Sequence, residues 1–202
     1  MTPEDVRTFE RCVAVGGVAL FPADTVYGLA TEPDSREGVE RLYRIKGRVP
    51  DRPAAVMFFD LDLALAALPE LGERTRTALR RVLPGAVTLV VSNPARRYPL
   101  ACGSTPDLLG LRVPALTGPL EPLAAARWPV LQSSANPSGG ADPRSLSEVD
   151  GGIRSRVDMQ LDGGTLPGTP SSVVDLSSYE ETGDYELLRE GAVAAVEIAA
   201  LL

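Results

Sequence analysis

Apolar positions along the chain follow two rhythms, and the change from one to the other marks out the elements. Val6, Phe9 and Val13 recur at the spacing of one helix face. Thr2-Pro3-Glu4-Asp5 ahead of them is a helix start: a capping hydroxyl, proline in the first turn, and acids favoured by the dipole. Gly16-Gly17 supplies the stop. Residues 18–21 form a continuous apolar run closed by Pro22, which predicts a buried strand. Ser35 caps a second helix bearing Val39, Leu42 and Tyr43, with Lys46 in its last turn and Gly47 ending it. Further strands are predicted at residues 54–59, 87–91, 109–113, 129–133, 171–176 and 185–189. Helical patterns occupy residues 61–68, 72–83 and 119–127, and a weak apolar helix closes the chain. Ser145-Leu-Ser-Glu148 reads as a capping box opening a helix of modest length. Residues 21–29, after the first strand, read as a loop.

Strands and helices alternate throughout, which predicts an α/β, mixed α+β, layered sheet. At 202 residues, with no internal repeat or low-complexity linker, the chain reads as one domain over 1–202 with no second domain. The apolar runs are far too short to cross a bilayer. Two isolated cysteines, Cys12 and Cys102, without a secretory signal fit a cytoplasmic protein with no disulfide.

Charge narrows the chemistry. The formal net charge of −7 argues against broad nucleic-acid binding. No histidine is present, so Ser-His-Asp and Cys-His systems and His-ligated zinc are excluded. Of the 20 basic residues, all but Lys46 are arginine. That lysine lies in a basic run at 41–52, and a compact point charge there suits a small anion. No P-loop exists, because the lysine is followed by glycine, and no GxGxxG follows a strand.

Four segments carry more chemistry than loops need: Phe21-Pro-Ala-Asp-Thr-Val-Tyr-Gly-Leu29, Lys46-Gly-Arg48, Gln132-Ser-Ser-Ala-Asn-Pro-Ser-Gly-Gly140, and Ser171-Ser-Val-Val-Asp175 with Leu188-Arg-Glu-Gly191. Together and in this order they resemble the YrdC-like threonylcarbamoyl-AMP synthases. Supporting matches are Pro84-Gly85 with Thr88-Leu89, Leu111-Arg112-Val113-Pro114 and Asp162-Gly163-Gly164. The paired KxR…SxN signature (Lys46, Arg48, Ser134, Asn136) is the most diagnostic part, and the resemblance runs over residues 10–192.

The resemblance implies a twisted sheet of mixed parallel and antiparallel strands flanked by helices, with a positively charged concave face. It implies an enzyme, a nucleotidyltransferase joining L-threonine, bicarbonate and ATP into threonylcarbamoyl-AMP with release of pyrophosphate. That is the first step of tRNA N6-threonylcarbamoyladenosine modification; other proteins perform the transfer to tRNA. Magnesium on the triphosphate is expected, with no dedicated protein metal site. Direct tRNA binding is expected to be weak or absent, and the chain a monomer or homodimer. Lys46, Arg48, Ser134 and Asn136 would be catalytic. Lys46, Arg48, Asn136, Arg144 and Arg189 would bind ATP, and Thr25, Arg112, Ser134 and Ser172 threonine.

Ala23 departs from the family's usual threonine, whose hydroxyl is expected near the amino acid. Val49 and Ala54 stand where proline and leucine are usual. Two other readings remain: a carbamoyl-adenylate enzyme with a different acceptor, and a non-catalytic RNA-binding or ribosome-maturation module.

Overall fold

The structure, a computed structural model, describes residues 1–202. The elements are helix α1 (Pro3–Ala14), strands β1 (Ala19–Pro22) and β2 (Tyr27–Thr31), helix α2 (Arg36–Lys46), strand β3 (Ala55–Met57), and helices α3 (Leu61–Ala67) and α4 (Glu73–Val82). Strand β4 (Val87–Ser92), helix α5 (Pro99–Cys102) and strands β5 (Leu108–Arg112) and β6 (Val130–Ser134) follow. The last part holds α6 (Gly151–Arg154), β7 (Met159–Gln160), β8 (Ser172–Asp175), α7 (Tyr179–Thr182), β9 (Glu186–Arg189) and α8 (Ala195–Leu201).

All nine strands form one sheet in the order β7-β1-β2-β6-β3-β5-β4-β8-β9. Three pairs are parallel, β1 with β7, β3 with β5 and β4 with β8; the others are antiparallel. This is the mixed sheet flanked by helices, in a single domain, that the sequence implies.

Because side chains alternate across a strand, the two faces of the sheet have different fates. One face carries Leu20, Leu29, Leu131, Val56, Leu111, Leu89 and Val174, all fully buried in a core of 37 residues that includes the apolar stripe of α2. The other face is covered only in part. There α1 packs Phe9 against Phe21 and Phe59, with ring centroids 5.4 and 5.8 Å away, in a cluster of 13 residues. That cluster covers β1, β2 and the start of β6. Towards β5, β4, β8 and β9 the same face carries small and polar residues with two valines, Val90 and Val173, and stays open.

Local chemistry accounts for the helix ends. Thr2 and Asp5 close a full capping box on α1. Ser35 Oγ accepts from Gly38 N at 3.1 Å at the head of α2. At its tail Gly47 adopts φ +61°, and Arg48 N donates to Tyr43 O at 2.9 Å, the wrap that ends a helix on a left-handed residue.

Several expectations need correction. Residues 27–31 form β2, not a loop; the strand is buried on both faces, so it shows no alternation. Residues 118–125 form a 3-10 helix rather than an α-helix, because Pro122 inside the run withholds an N–H that an α-helix needs and crowds the preceding turn. The Ser145 box does not close: Ser145 Oγ pairs with Ser147 Oγ, and Glu148 instead accepts from Arg144 N at 2.7 Å. Only a three-residue 3-10 turn forms there, and Asp150 caps the short α6 that follows.

Candidate active site

The open part of the sheet is the floor of a cavity of about 520 Å³. Two cross-strand rows build it. Arg112, Thr88, Val173 and Arg189 are successive partners across β5, β4, β8 and β9. Gln132, Ala55, Gly110, Val90 and Asp175 are successive partners across β6, β3, β5, β4 and β8. Neighbouring strands lie about 4.8 Å apart, so the second row runs roughly 19 Å, enough for an extended ligand. The wall is completed by Arg48 and by the segment from Ser133 to Asp142.

Lys46 enters from the opposite face of the sheet, at the end of α2. It is 3% exposed, and its ammonium donates to Ser134 O, to Asn136 O at 2.8 Å and to Asn136 Oδ1 at 3.0 Å. In return Ser138 N donates to Lys46 O at 2.9 Å. The helix end and the loop after β6 are thus clamped in both directions. Burial lowers the Lys46 pKa to about 8, the charge of Arg48 adds to the fall, and Asp142 opposes it. Ser134 Oγ donates to Asn136 Oδ1 at 2.6 Å, and Asn136 Nδ2 donates to Gly140 O at 2.5 Å. These bonds fix the amide of Asn136 in one orientation.

The two guanidinium groups nearest this turn are each held by one arm. Arg48 donates to Pro53 O, and its carbon lies 5.6 Å from the Tyr43 ring centre. Arg112, 3% exposed, pairs with Asp24 and donates to Thr25 Oγ1 at 2.7 Å. Asp24 is itself anchored by Ala115 N at 3.0 Å. In both arginines the Nε is buried without any partner. Native structures rarely leave such donors unmet, and both residues line the cavity.

A family model described as telomere recombination, that of the Sua5, YciO and YrdC proteins, matches residues 11–191. The chain belongs to the Sua5/YciO/YrdC family.

Curated relatives in this family include a threonylcarbamoyl-AMP synthase of Pyrococcus abyssi, 28% identical over 96% of this chain and 56% of its own length. That of Bacillus subtilis is 30% identical over 92% of this chain and 53% of its length. The chain therefore spans little more than half of these two relatives. A synthase of Hahella chejuensis is 28% identical over 87% of this chain and 92% of its own length. Among solved structures, P. abyssi Sua5 complexed with L-threonine superposes with a TM-score of 0.84 at 26% identity, covering 100% of this chain and 58% of that one.

The fold gathers most of the residues that the family resemblance singled out. Arg48, Arg112, Ser134, Asn136 and Arg189 line the one cavity. Lys46 and Thr25 stand directly behind it, bonded to Asn136 and Arg112. Two do not belong to the wall. Ser172 is fully buried, and its hydroxyl ties down the C-terminal segment: it donates to Val193 O at 2.6 Å and accepts from Gly191 N and Val193 N. The adjacent Ser171 faces the cavity instead, its Oγ 2.9 Å from that of Thr88, because neighbours on a strand point to opposite sides. Arg144 is exposed and packs its side chain over Gly168, outside the cavity.

Ala23, where the resemblance led to the expectation of a hydroxyl, is 2% exposed and packs within the Phe9 cluster. Asp24, Thr88, Ser171, Asp142 and Asp175 are site residues to which the sequence alone gave no role. Their signal was adjacency to recognised motifs, and which neighbour faced inward depended on strand register.

Proposed function

We propose that this chain makes threonylcarbamoyl-AMP from L-threonine, bicarbonate and ATP, releasing pyrophosphate, as the first step of tRNA threonylcarbamoyladenosine formation. One observation carries the reading: the two arginines whose buried Nε donors lack partners, Arg48 and Arg112, line one cavity of about 520 Å³. Relatives named for this activity, and the P. abyssi Sua5 structure complexed with L-threonine, support it.

In this reading the threonine carboxylate pairs with Arg112, whose guanidinium Asp24 and Thr25 hold in place. The amine adds to the carbon of bicarbonate, water leaves, and a carbamate results. A carbamate oxygen then attacks the α-phosphorus of ATP, and the α–β bridging oxygen leaves with pyrophosphate. Arg48 and Arg189 neutralise the phosphates, and the Lys46 charge acts from behind the Ser134–Asn136 turn. Ser134 would donate to a carbamate or phosphate oxygen once released from Asn136. Proximity supplies most of the rate, so no covalent nucleophile or imidazole is required.

No three acidic or thiol side chains cluster as a metal cage. Either Asp142 or Asp175, both lining the cavity, would meet a magnesium ion arriving on the triphosphate, since that ion needs only one or two carboxylates. When bound, it would screen the phosphate charge. The downstream transfer proteins belong to the same proposal, as does a cytoplasmic setting; no helix is long and apolar enough to cross a membrane.

The test is pyrophosphate release from Mg-ATP and bicarbonate with and without L-threonine. Release that requires both co-substrates is expected, and Arg48→Ala should abolish it. Release indifferent to threonine would assign another acceptor, and no release from folded protein would end the enzyme reading.

A further inference from the structure

One polar group on the cavity floor has no task in the scheme above. Gln132 sits on β6 with Ala30 of β2 and Ala55 of β3 as its cross-strand partners. Gly110 lies beyond Ala55, and Gly28 is the partner of Ser134, two residues along. A Cβ on Gly28 would come within 3.6 Å of Gln132 Oε1. Gln132 is therefore the one long polar side chain in a clearing of alanines and glycines, bordered by the ring of Phe21. No hydrogen bond inside the chain uses its carboxamide, whereas the nearby amide of Asn136 spends both of its ends internally.

The charged ends of a ligand already have partners in Arg48, Arg112 and Arg189. A neutral amide adds nothing to charge neutralisation. It offers one acceptor and two donors side by side, which suits a hydroxyl group. Arg112 stands two strands across from Gln132 and two residues along, roughly 10 Å by 7 Å on the sheet lattice. Two long side chains leaning inward from those points can close on the two ends of one small amino acid.

We propose that Gln132 is a specificity-determining residue whose carboxamide hydrogen-bonds the side-chain hydroxyl of an amino acid held by its carboxylate on Arg112. This rests on the synthase reading and extends it to how threonine is told from its deoxy analogue. A site built to bond a hydroxyl rejects the analogue lacking it, because the site's own polar group is then left unpaired.

The experiment compares kcat/KM for L-threonine and L-2-aminobutyrate in the bicarbonate-dependent release of pyrophosphate, for wild type, Gln132→Ala and Gln132→Met. Methionine keeps the length of the side chain and removes the amide. Both variants should lose about tenfold or more of the preference for threonine. The loss should fall on kcat/KM for threonine, with the KM for ATP unchanged and thermal unfolding within a few degrees of wild type. A Gln132→Met variant that keeps the preference overturns the proposal. So does a change confined to the KM for ATP, which would make the amide a reader of the nucleobase edge. An active wild type with unaltered variants refutes this assignment alone, while a wild type inactive with every amino acid refutes the synthase reading beneath it.

Discussion

A buried lysine with every donor committed behaves differently from one that waits for substrate. The ammonium of Lys46 already bonds Ser134 O, Asn136 O and Asn136 Oδ1. Its charge reaches the cavity through that turn rather than by direct contact. Burial sets its pKa at about 8, below the ordinary 10.5. Between those values the unfolded chain holds a proton that the folded chain has released, so stability gains from rising pH in this window. The positive charge available to phosphates is lost over the same range. Titrating the ligand-free protein from pH 8 to 10 should raise its unfolding free energy relative to a Lys46→Met variant. Mg-ATP affinity, measured by calorimetry, should fall in wild type and stay flat in the variant. A wild-type affinity as flat as the variant's would remove Lys46 from nucleotide binding.

At the scale of elements, the site depends on how α2 stops. Gly47 takes φ +61° and ψ 33°, and a Cβ there would meet nothing within 4 Å. The cost of alanine at this position is thus backbone strain alone, about 1 kcal/mol. Gly47→Ala should lower the unfolding free energy by that amount, seen as a lower urea midpoint with an unchanged slope, and weaken pyrophosphate release by displacing Arg48. This stop was legible in the sequence, as were the caps at Thr2 and Ser35, because each is a local rule acting on three or four residues. Strand β2 was not legible: a run buried on both faces has no period to read, and its Tyr27-Gly28 opening looked like part of a loop motif. Inside the site, Ser172 and Ser171 could not be told apart without knowing which of them the β4 pairing turns inward. Asp24 stood within a recognised motif, yet its ion pair joins residues 88 apart in sequence, which no local pattern encodes.

For the whole molecule, the decisive fact is that one face of the sheet is fully covered and the other only half. The Phe9–Phe21–Phe59 cluster stops at β6 and β3, and the small residues Ala55 and Gly110 begin there. A larger side chain at Gly110 would continue the apolar cover across the floor. A Cβ at Gly110 would lie 3.3 Å from Ala55 Cα, so Gly110→Leu should fold with some loss of stability as β3 gives way slightly, while the rest of the side chain faces the cavity and Mg-ATP affinity drops by about tenfold or more. Retained affinity would place the nucleotide away from the centre of the floor.

The same alternation has a further result. Floor and core residues interleave one for one: Arg112 with Leu111, Thr88 with Leu89, Val173 with Val174. Slipping any of these strands by a single residue would exchange the two sets, turning leucines towards the ligand and an arginine into the core. An insertion or deletion inside β4, β5 or β8 would thus destroy fold and site in one event, so this chain can change length only in its loops.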